Sequence, residues 1–140
     1  MNEHRFGYFE HTADKGVFAY GETLEKAYEN IAYGVFSLMA DLSNYTPIGM
    51  CTIEVEGEDE ISVLRNWLKE LLYKFEVERV LPLDFHVRSL KAGHLMADID
   101  LRPFGPDIEW LGSQVKAVTY HGMEVEKRDM EYRVQAIVDV

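Results

Sequence analysis

Apolar residues recur at spacings of three and four in the middle of the chain, and this stripe is the strongest constraint that the sequence places on the fold. Its members are Val63, Leu64, Trp67, Leu68, Leu71, Leu72 and Phe75. Such a wide stripe predicts an amphipathic helix whose apolar face is buried. Asp59 or Ser62 is a suitable N-cap for it. We therefore expect this helix to be the best-buried one of the fold.

A second stripe predicts another helix, which begins with Thr23 as N-cap candidate. The stripe consists of Leu24, Ala27, Tyr28, Ile31, Ala32, Val35, Phe36 and Met39. Most other segments have strand character, and several alternate apolar and polar residues as half-buried strands do. The predicted strands are 6–10, 17–20, 51–56, 83–90, 95–101, 115–120 and 132–140, with 122–125 extending the sixth past a bulge. Residues 12–16 are predicted to form a turn, and 41–50 a loop.

This order of elements predicts an α+β fold, with a largely antiparallel β-sheet and two helices packed on one face. The 140 residues fit a single domain, 1–140, and a hydrophobic content of 47% argues against a disordered chain. Cys51 is the only cysteine, so no intramolecular disulfide is possible. The first residues lack the apolar run of a signal peptide, and no 18 consecutive residues are apolar. We expect a cytoplasmic protein that does not enter a membrane.

The charge of the chain is strongly acidic, with 14 Lys and Arg against 25 Asp and Glu, a formal net charge of −11. Proteins that bind nucleic acid neutralise phosphates with Lys and Arg, so direct nucleic-acid binding is not expected. The acidic excess has two interpretations, a solvated surface or a surface that faces a basic partner.

Two internal segments combine residues that can carry chemistry. The first is His11-Thr12-Ala13-Asp14, on a connection between two predicted strands, where functional residues are often found. Its alternative role is structural, because Asp and Thr side chains also hydrogen-bond the backbone of turns. The second is Lys116-Ala117-Val118-Thr119-Tyr120-His121, in which His121 would be a proton carrier, an anion contact or a turn residue.

The C-terminal strand ends in two negative groups, the Asp139 side chain and the α-carboxylate of Val140. Their mutual repulsion favours a nearby cation, and hard divalent cations prefer oxygen ligands. If strand pairing brought Asp14 beside Asp139, three oxyanion groups would meet; the alternative is a solvated terminus. The sequence contains no Gly-rich phosphate loop and no G-x-S-x-G motif, and its five histidines lack zinc-ligand spacing.

Taken together, these segments resemble the archease family. The motifs that carry the resemblance are His11–Asp14, Ala19-Tyr20-Gly21 with Thr23-Leu24 and Ala27, Trp67-Leu68 with Glu70–Tyr73, Lys116–His121 and Asp139-Val140. They cover nearly the whole chain in the family's order. Lys15 stands where the family pattern has an apolar residue, and a cation beside Asp14 would weaken metal binding.

The resemblance implies an activator and not a free-standing enzyme. Archeases assist the GTP-dependent RNA ligase that joins tRNA exon halves in tRNA splicing, by promoting ligase guanylylation and multiple turnover. The family is linked to a bound divalent cation, here Ca²⁺ or Mg²⁺. Carried over by residue, the metal ligands would be Asp14, Asp139 and Val140, with His11, Lys116 and His121 near the site.

Two other functions fit the same residues. A chaperone-like interaction module would shift the conformation of the ligase without metal chemistry. A small metal-dependent hydrolase would use His11 or His121 as a base and would need no partner.

Overall fold

The protein was analysed as a computed structural model, which describes residues 5–11 and 13–140. The strands are β1 (Phe6–His11), β2 (Asp14–Gly21), β3 (Gly49–Glu56), β4 (Val80–Lys91), β5 (His94–Pro103), β6 (Ala117–Val118), β7 (Glu124–Arg128) and β8 (Glu131–Asp139). The helices are α1 (Leu24–Ser37) and α2 (Glu60–Tyr73), with a 3-10 helix at Leu42–Asn44 and a π-helical turn at Lys74–Glu78.

All strand pairs in the described part of the chain are antiparallel, and the predicted α+β class is confirmed. The strands divide between two sheets, whereas the sequence pattern had been interpreted as one sheet. The first sheet has the order β1-β2-β8-β6, with β7 also paired to β8. The second has the order β3-β5-β4. Alternation within a strand reports which face is buried, but it carries no information about which sheet the strand joins.

Side-chain caps fix the starts of both helices. The Thr23 hydroxyl accepts a hydrogen bond from the Lys26 N–H at 3.1 Å, as expected for an N-cap. At α2, the Asp59 carboxylate accepts from the Ser62 N–H at 2.8 Å, and the Ser62 hydroxyl accepts from the Asp59 N–H at 3.0 Å. This reciprocal pair is a capping box. Its hydrogen bonds, chiefly the one from the Ser62 backbone, hold the pKa of Asp59 below its usual value.

The two helices are joined to each other by a pair of hydrogen bonds, one of them buried and the other partly buried. The Trp67 indole N–H on α2 donates to the Tyr28 carbonyl oxygen on α1 at 3.0 Å. In return, the Tyr28 hydroxyl donates to the Glu60 carbonyl oxygen at 2.6 Å. Both side chains are fully buried, and burial raises the pKa of Tyr28. The predicted stripes of both helices thus face one core, and α2 reaches strands β3 and β6 while α1 reaches β2, β4 and β8.

Several predicted boundaries were wrong. The predicted strand 115–120 is reduced to β6, since Tyr120 is exposed and the chain turns at Gly122, which has a φ of +71°. Residues 122–125 are a turn followed by the start of β7, and not an extension of β6. Lys15 and Gly16, predicted to lie in a turn, belong to β2. In the described residues, neither α-helix is long and apolar enough to cross a membrane.

Replacing Trp67 with alanine should lower the free energy of unfolding by about 3–5 kcal/mol, because it leaves a cavity and removes a buried hydrogen bond. That is a large share of the roughly 5–15 kcal/mol that stabilises a typical domain. Chemical denaturation followed by circular dichroism measures the change. Tyr73→Ala, at a side chain that is 54% exposed at the end of the same helix, is the matched control and should have little effect. Equal stability of Trp67→Ala and the parent would contradict this packing.

Candidate functional site

The pairing of β2 with β8 brings two of the predicted site residues together. These strands are antiparallel, and their last recorded pair at this end is Lys15 with Val138. One position further along both strands, Asp14 begins β2 and Asp139 ends β8. The two aspartates therefore occupy neighbouring positions at one end of the five-stranded sheet, as the metal-site hypothesis requires.

Residues directly opposite each other on neighbouring strands share a face of the sheet, so Asp14 and Asp139 do so. In the backbone register, Asp14 pairs with His11 on β1 and Asp139 with Ala117 on β6. Both aspartates are only half-buried. Two carboxylates side by side repel each other, and an arrangement of this kind is stabilised by a cation between them.

Lys15 does not direct its charge at Asp14. Successive strand residues point to opposite faces, so Lys15 lies on the other face of β2. Its ammonium pairs with the Glu10 carboxylate at 3.2 Å. Glu10 lies directly opposite Lys15 on β1. The Lys15 ammonium and the two aspartates therefore lie on opposite faces of the sheet. This separation reduces the weakening of metal binding that the sequence led us to expect.

Val140 and Lys116 meet the end of β8 through different atoms. The Val140 side chain packs against the core, so its oxygen atoms are the groups it can offer to a cation. The Lys116 backbone N–H donates to the Asp139 carbonyl oxygen at 2.7 Å, while the Lys116 residue is exposed. This hydrogen bond ties the main chain at the end of β8 to the residue before β6.

The remaining predicted residues are described less fully. Thr12 and the side chain of His11 lie outside the described residues. His121 is exposed in the turn after β6, where its carbonyl oxygen accepts from the Thr119 hydroxyl at 3.3 Å. That turn is held by a hydrogen bond from the Gln135 side chain to the Gly122 carbonyl oxygen at 2.9 Å. The turn approaches Ile137, two residues before Asp139 on the same face of β8.

Helix α2 supplies a positive group beside the segment that follows β6. The Arg65 guanidinium lies 4.9 Å from the centre of the Tyr120 ring, a distance typical of a cation–π contact. Tyr120 is 71% exposed, so its outer side remains open to solvent. Among the described residues, the Arg65 Nε atom is buried without a hydrogen-bond partner. The sequence alone did not connect α2 to this segment.

A second group of ligand-type side chains was missed by the sequence analysis. Asp84 and His86 on β4 and Asp100 on β5 form a cluster on the outer face of the three-stranded sheet. Alternation had already placed the first two on one face of the strand. The missing information was the register, in which Asp84 lies directly opposite Asp100.

Comparisons with known proteins agree with this arrangement of elements. Residues 6–140 match the model of the archease protein family. The protein archease of Sulfurisphaera tokodaii is 35% identical over 137 residues, covering 97% of this chain and 99% of that protein. The protein archease of Thermococcus gammatolerans is 37% identical over 145 residues, with the same coverage of 97% and 99%.

Two solved structures have the same fold. The solution structure of Methanobacterium thermoautotrophicum protein 1598 superposes with a TM-score of 0.85 at 32% identity, covering 99% of this chain and 100% of that one. A crystal structure from Thermotoga maritima, described as an archease and possible chaperone, has a TM-score of 0.60 at 15% identity, and each chain is covered to 94%. At that identity the second likeness concerns the fold alone.

The geometry around Lys15 predicts how two neighbouring substitutions differ in their effect on Ca²⁺ or Mg²⁺ binding. If Asp14 is a ligand as the metal-site hypothesis has it, Asp14→Asn should weaken binding by roughly tenfold or more, since it removes one carboxylate of the pair. Lys15→Met should change it by less than about twofold, because the Lys15 charge is paired and lies on the opposite face. Isothermal titration calorimetry with each ion measures both effects. A large gain in affinity for Lys15→Met would mean that its ammonium does compete at the site.

Proposed function

Because this chain belongs to the archease family, we propose that it activates the GTP-dependent RNA ligase of tRNA splicing. In this proposal the protein promotes guanylylation of the ligase and its multiple turnover, through a divalent-metal site at the end of the five-stranded sheet. The protein itself is an accessory factor that catalyses no reaction alone.

The observation that carries the proposal is the register of β2 and β8. It brings Asp14 and Asp139 to neighbouring positions although 124 residues separate them in the sequence. Two like charges opposite each other at the end of a sheet lower its stability, so we expect such a pair to serve a role. This arrangement joins two of the motifs that carry the family resemblance, one near each end of the chain.

The donors at this end of the sheet suit a hard divalent cation. Asp14 and Asp139 would hold it through carboxylate oxygens and Val140 through a main-chain oxygen, and such oxygen sets are preferred by Ca²⁺ and Mg²⁺. When bound, the cation would supply positive charge that neutralises phosphate groups during nucleotidyl transfer. Lys116 keeps the Asp139 main chain in position through its backbone hydrogen bond. His121 would face the same region from the turn that follows β6.

The charge of the chain supports a protein partner. A net charge of −11 repels RNA and attracts a basic surface. An enzyme that joins RNA ends must present positive charge to phosphates, so the entrance to its active site is a suitable docking surface. Docking there would bring Asp14 and Asp139 close to the nucleotide. It would also shift the ligase toward the conformation that accepts the nucleotide.

Removing the aspartate pair should abolish stimulation of the ligase. In a guanylylation assay with the ligase and GTP, Asp14→Asn and Asp139→Asn should each lose most of the stimulation. The double variant should be no worse than either single variant, because residues that serve one site are not additive. Glu58→Gln, which removes one exposed charge next to α2, is the matched control and should stimulate normally.

The same guanylylation assay distinguishes the metal-dependent activator from a chaperone-like module and from a hydrolase. Stimulation that survives both the double variant and a chelator would contradict the metal site and would favour a chaperone-like module. Hydrolysis of GTP or RNA by this protein without the ligase would favour the hydrolase. Circular dichroism of each variant establishes that the fold is retained, so that loss of stimulation is assigned to the site.

Association with the ligase should depend on salt. Electrostatic steering raises the association rate and weakens as ions screen the charges, with a screening length of about 8 Å at physiological ionic strength. Stopped-flow mixing at several salt concentrations should therefore show association slowing as salt rises, with a smaller change in dissociation. A gel shift with tRNA alone should give no complex. A salt-independent association rate would refute steering, and tight tRNA binding would indicate direct RNA recognition.

A further inference from the structure

The cluster on the three-stranded sheet combines two carboxylates with one imidazole. Asp84 and His86 are two residues apart on β4 and so point to the same side, and Asp100 lies directly opposite Asp84 on β5. The His86 Nε2 atom is 3.6 Å from the Asp100 Oδ2 atom. One ligand atom from each of the three side chains lies within 4.8 Å of the other two.

The charges around this cluster are not balanced by neighbouring arginines. Arg88 pairs with Asp98 at 2.9 Å, and Arg102 pairs with Asp107 at 2.7 Å. In the described part of the chain, no lysine or arginine forms an ion pair with either carboxylate of the cluster. Among the described residues, His86 is thus the one basic side chain within ion-pair distance of this cluster, whose two aspartates face each other across the strands, an arrangement that destabilises a sheet.

We propose that Asp84, His86 and Asp100 form a binding site for a divalent transition-metal cation such as Zn²⁺. Zn²⁺ binds imidazole nitrogen and carboxylate oxygen at about 2.0–2.2 Å, so two donors on one ion lie at most about 4.4 Å apart. The His86–Asp100 separation is already inside that limit, and small side-chain rotations bring the third donor within it. The imidazole nitrogen distinguishes this site from the all-oxygen set at Asp14 and Asp139, which suits harder ions.

This site is independent of the proposed ligase activation, because it lies on the other sheet and shares no residue with the aspartate pair. It has three protein ligands on an exposed sheet face, which leaves coordination positions for water. The site therefore binds metal without enclosing it.

The test is Zn²⁺ titration of the full chain by calorimetry, in the parent and in the Asp14→Asn/Asp139→Asn variant. Both should bind one Zn²⁺ at this site. His86→Gln, and separately the isosteric Asp100→Asn, should weaken that binding by roughly tenfold or more in either background. The matched control is His94→Gln, since His94 lies on the same face of β5 but pairs with a single carboxylate, Glu54, and its removal should leave Zn²⁺ affinity unchanged.

Proton NMR of the histidine rings provides a second readout that does not depend on the variants. Substoichiometric Zn²⁺ should shift the His86 ring signals before those of His94 or His121. Three results would overturn the proposal: no saturable Zn²⁺ binding, equal weakening by His86→Gln and His94→Gln, or loss of all Zn²⁺ binding in the Asp14→Asn/Asp139→Asn variant with its fold intact by circular dichroism.

Discussion

The pairing of β2 with β8 is the constraint on which the rest of the structure depends. It joins a strand near the start of the described chain to its last strand, and it makes β8 an interior strand flanked by β2 on one edge and by β6 and β7 on the other. The core-facing residues of this pair, including Val17, Ala19, Val134 and Ala136, are fully buried. Moving the register by one residue would turn these side chains to the other face. The same register determines that Asp14 lies beside Asp139.

Helices α1 and α2 connect the two sheets into one body. Each helix packs on strands from both sheets, and their apolar stripes meet in a single buried cluster. The hydrogen bonds from the Trp67 indole to the Tyr28 carbonyl oxygen and from the Tyr28 hydroxyl to the Glu60 carbonyl oxygen satisfy polar groups that would destabilise the core if left unpaired. Because the buried cluster takes up the inner faces of the sheets, their ends and outer faces are left to carry charged residues.

Both clusters of carboxylates lie on those outer positions. Asp14 and Asp139 occupy the end of the five-stranded sheet, and Asp84 and Asp100 the outer face of the three-stranded one. In each case antiparallel pairing opposes two negative charges at one register position. The position of each charge depends on the alternation of side chains along the strand. Lys15 is only one residue after Asp14 on β2, yet its ammonium lies on the other face, where it pairs with Glu10.

Local patterns in the sequence were enough to predict the two helices with their buried faces, the N-cap at Thr23 and the α+β class. Apolar residues spaced by three and four in a helix, or by two in a strand, mark the side of that element that meets the core. This pattern can be recognised without knowledge of distant residues. The sequence also singled out Asp14 and Asp139 as candidate residues, and the family resemblance implied that they belong to one metal site. The alternating polar face of β4 was equally readable, but nothing local indicated which residue would lie opposite Asp84.

Only the tertiary structure decided how strands are divided between two sheets, how short β6 is, and which carboxylates become neighbours. These features depend on pairing between residues far apart in sequence, whose hydrogen bonds form between backbone groups that are the same in every residue. Sequence alternation is preserved by any shift of two positions, so it leaves the register open. The packing of all strands against α1 and α2 selects one register, and that register makes neighbours of aspartates that are far apart in the sequence.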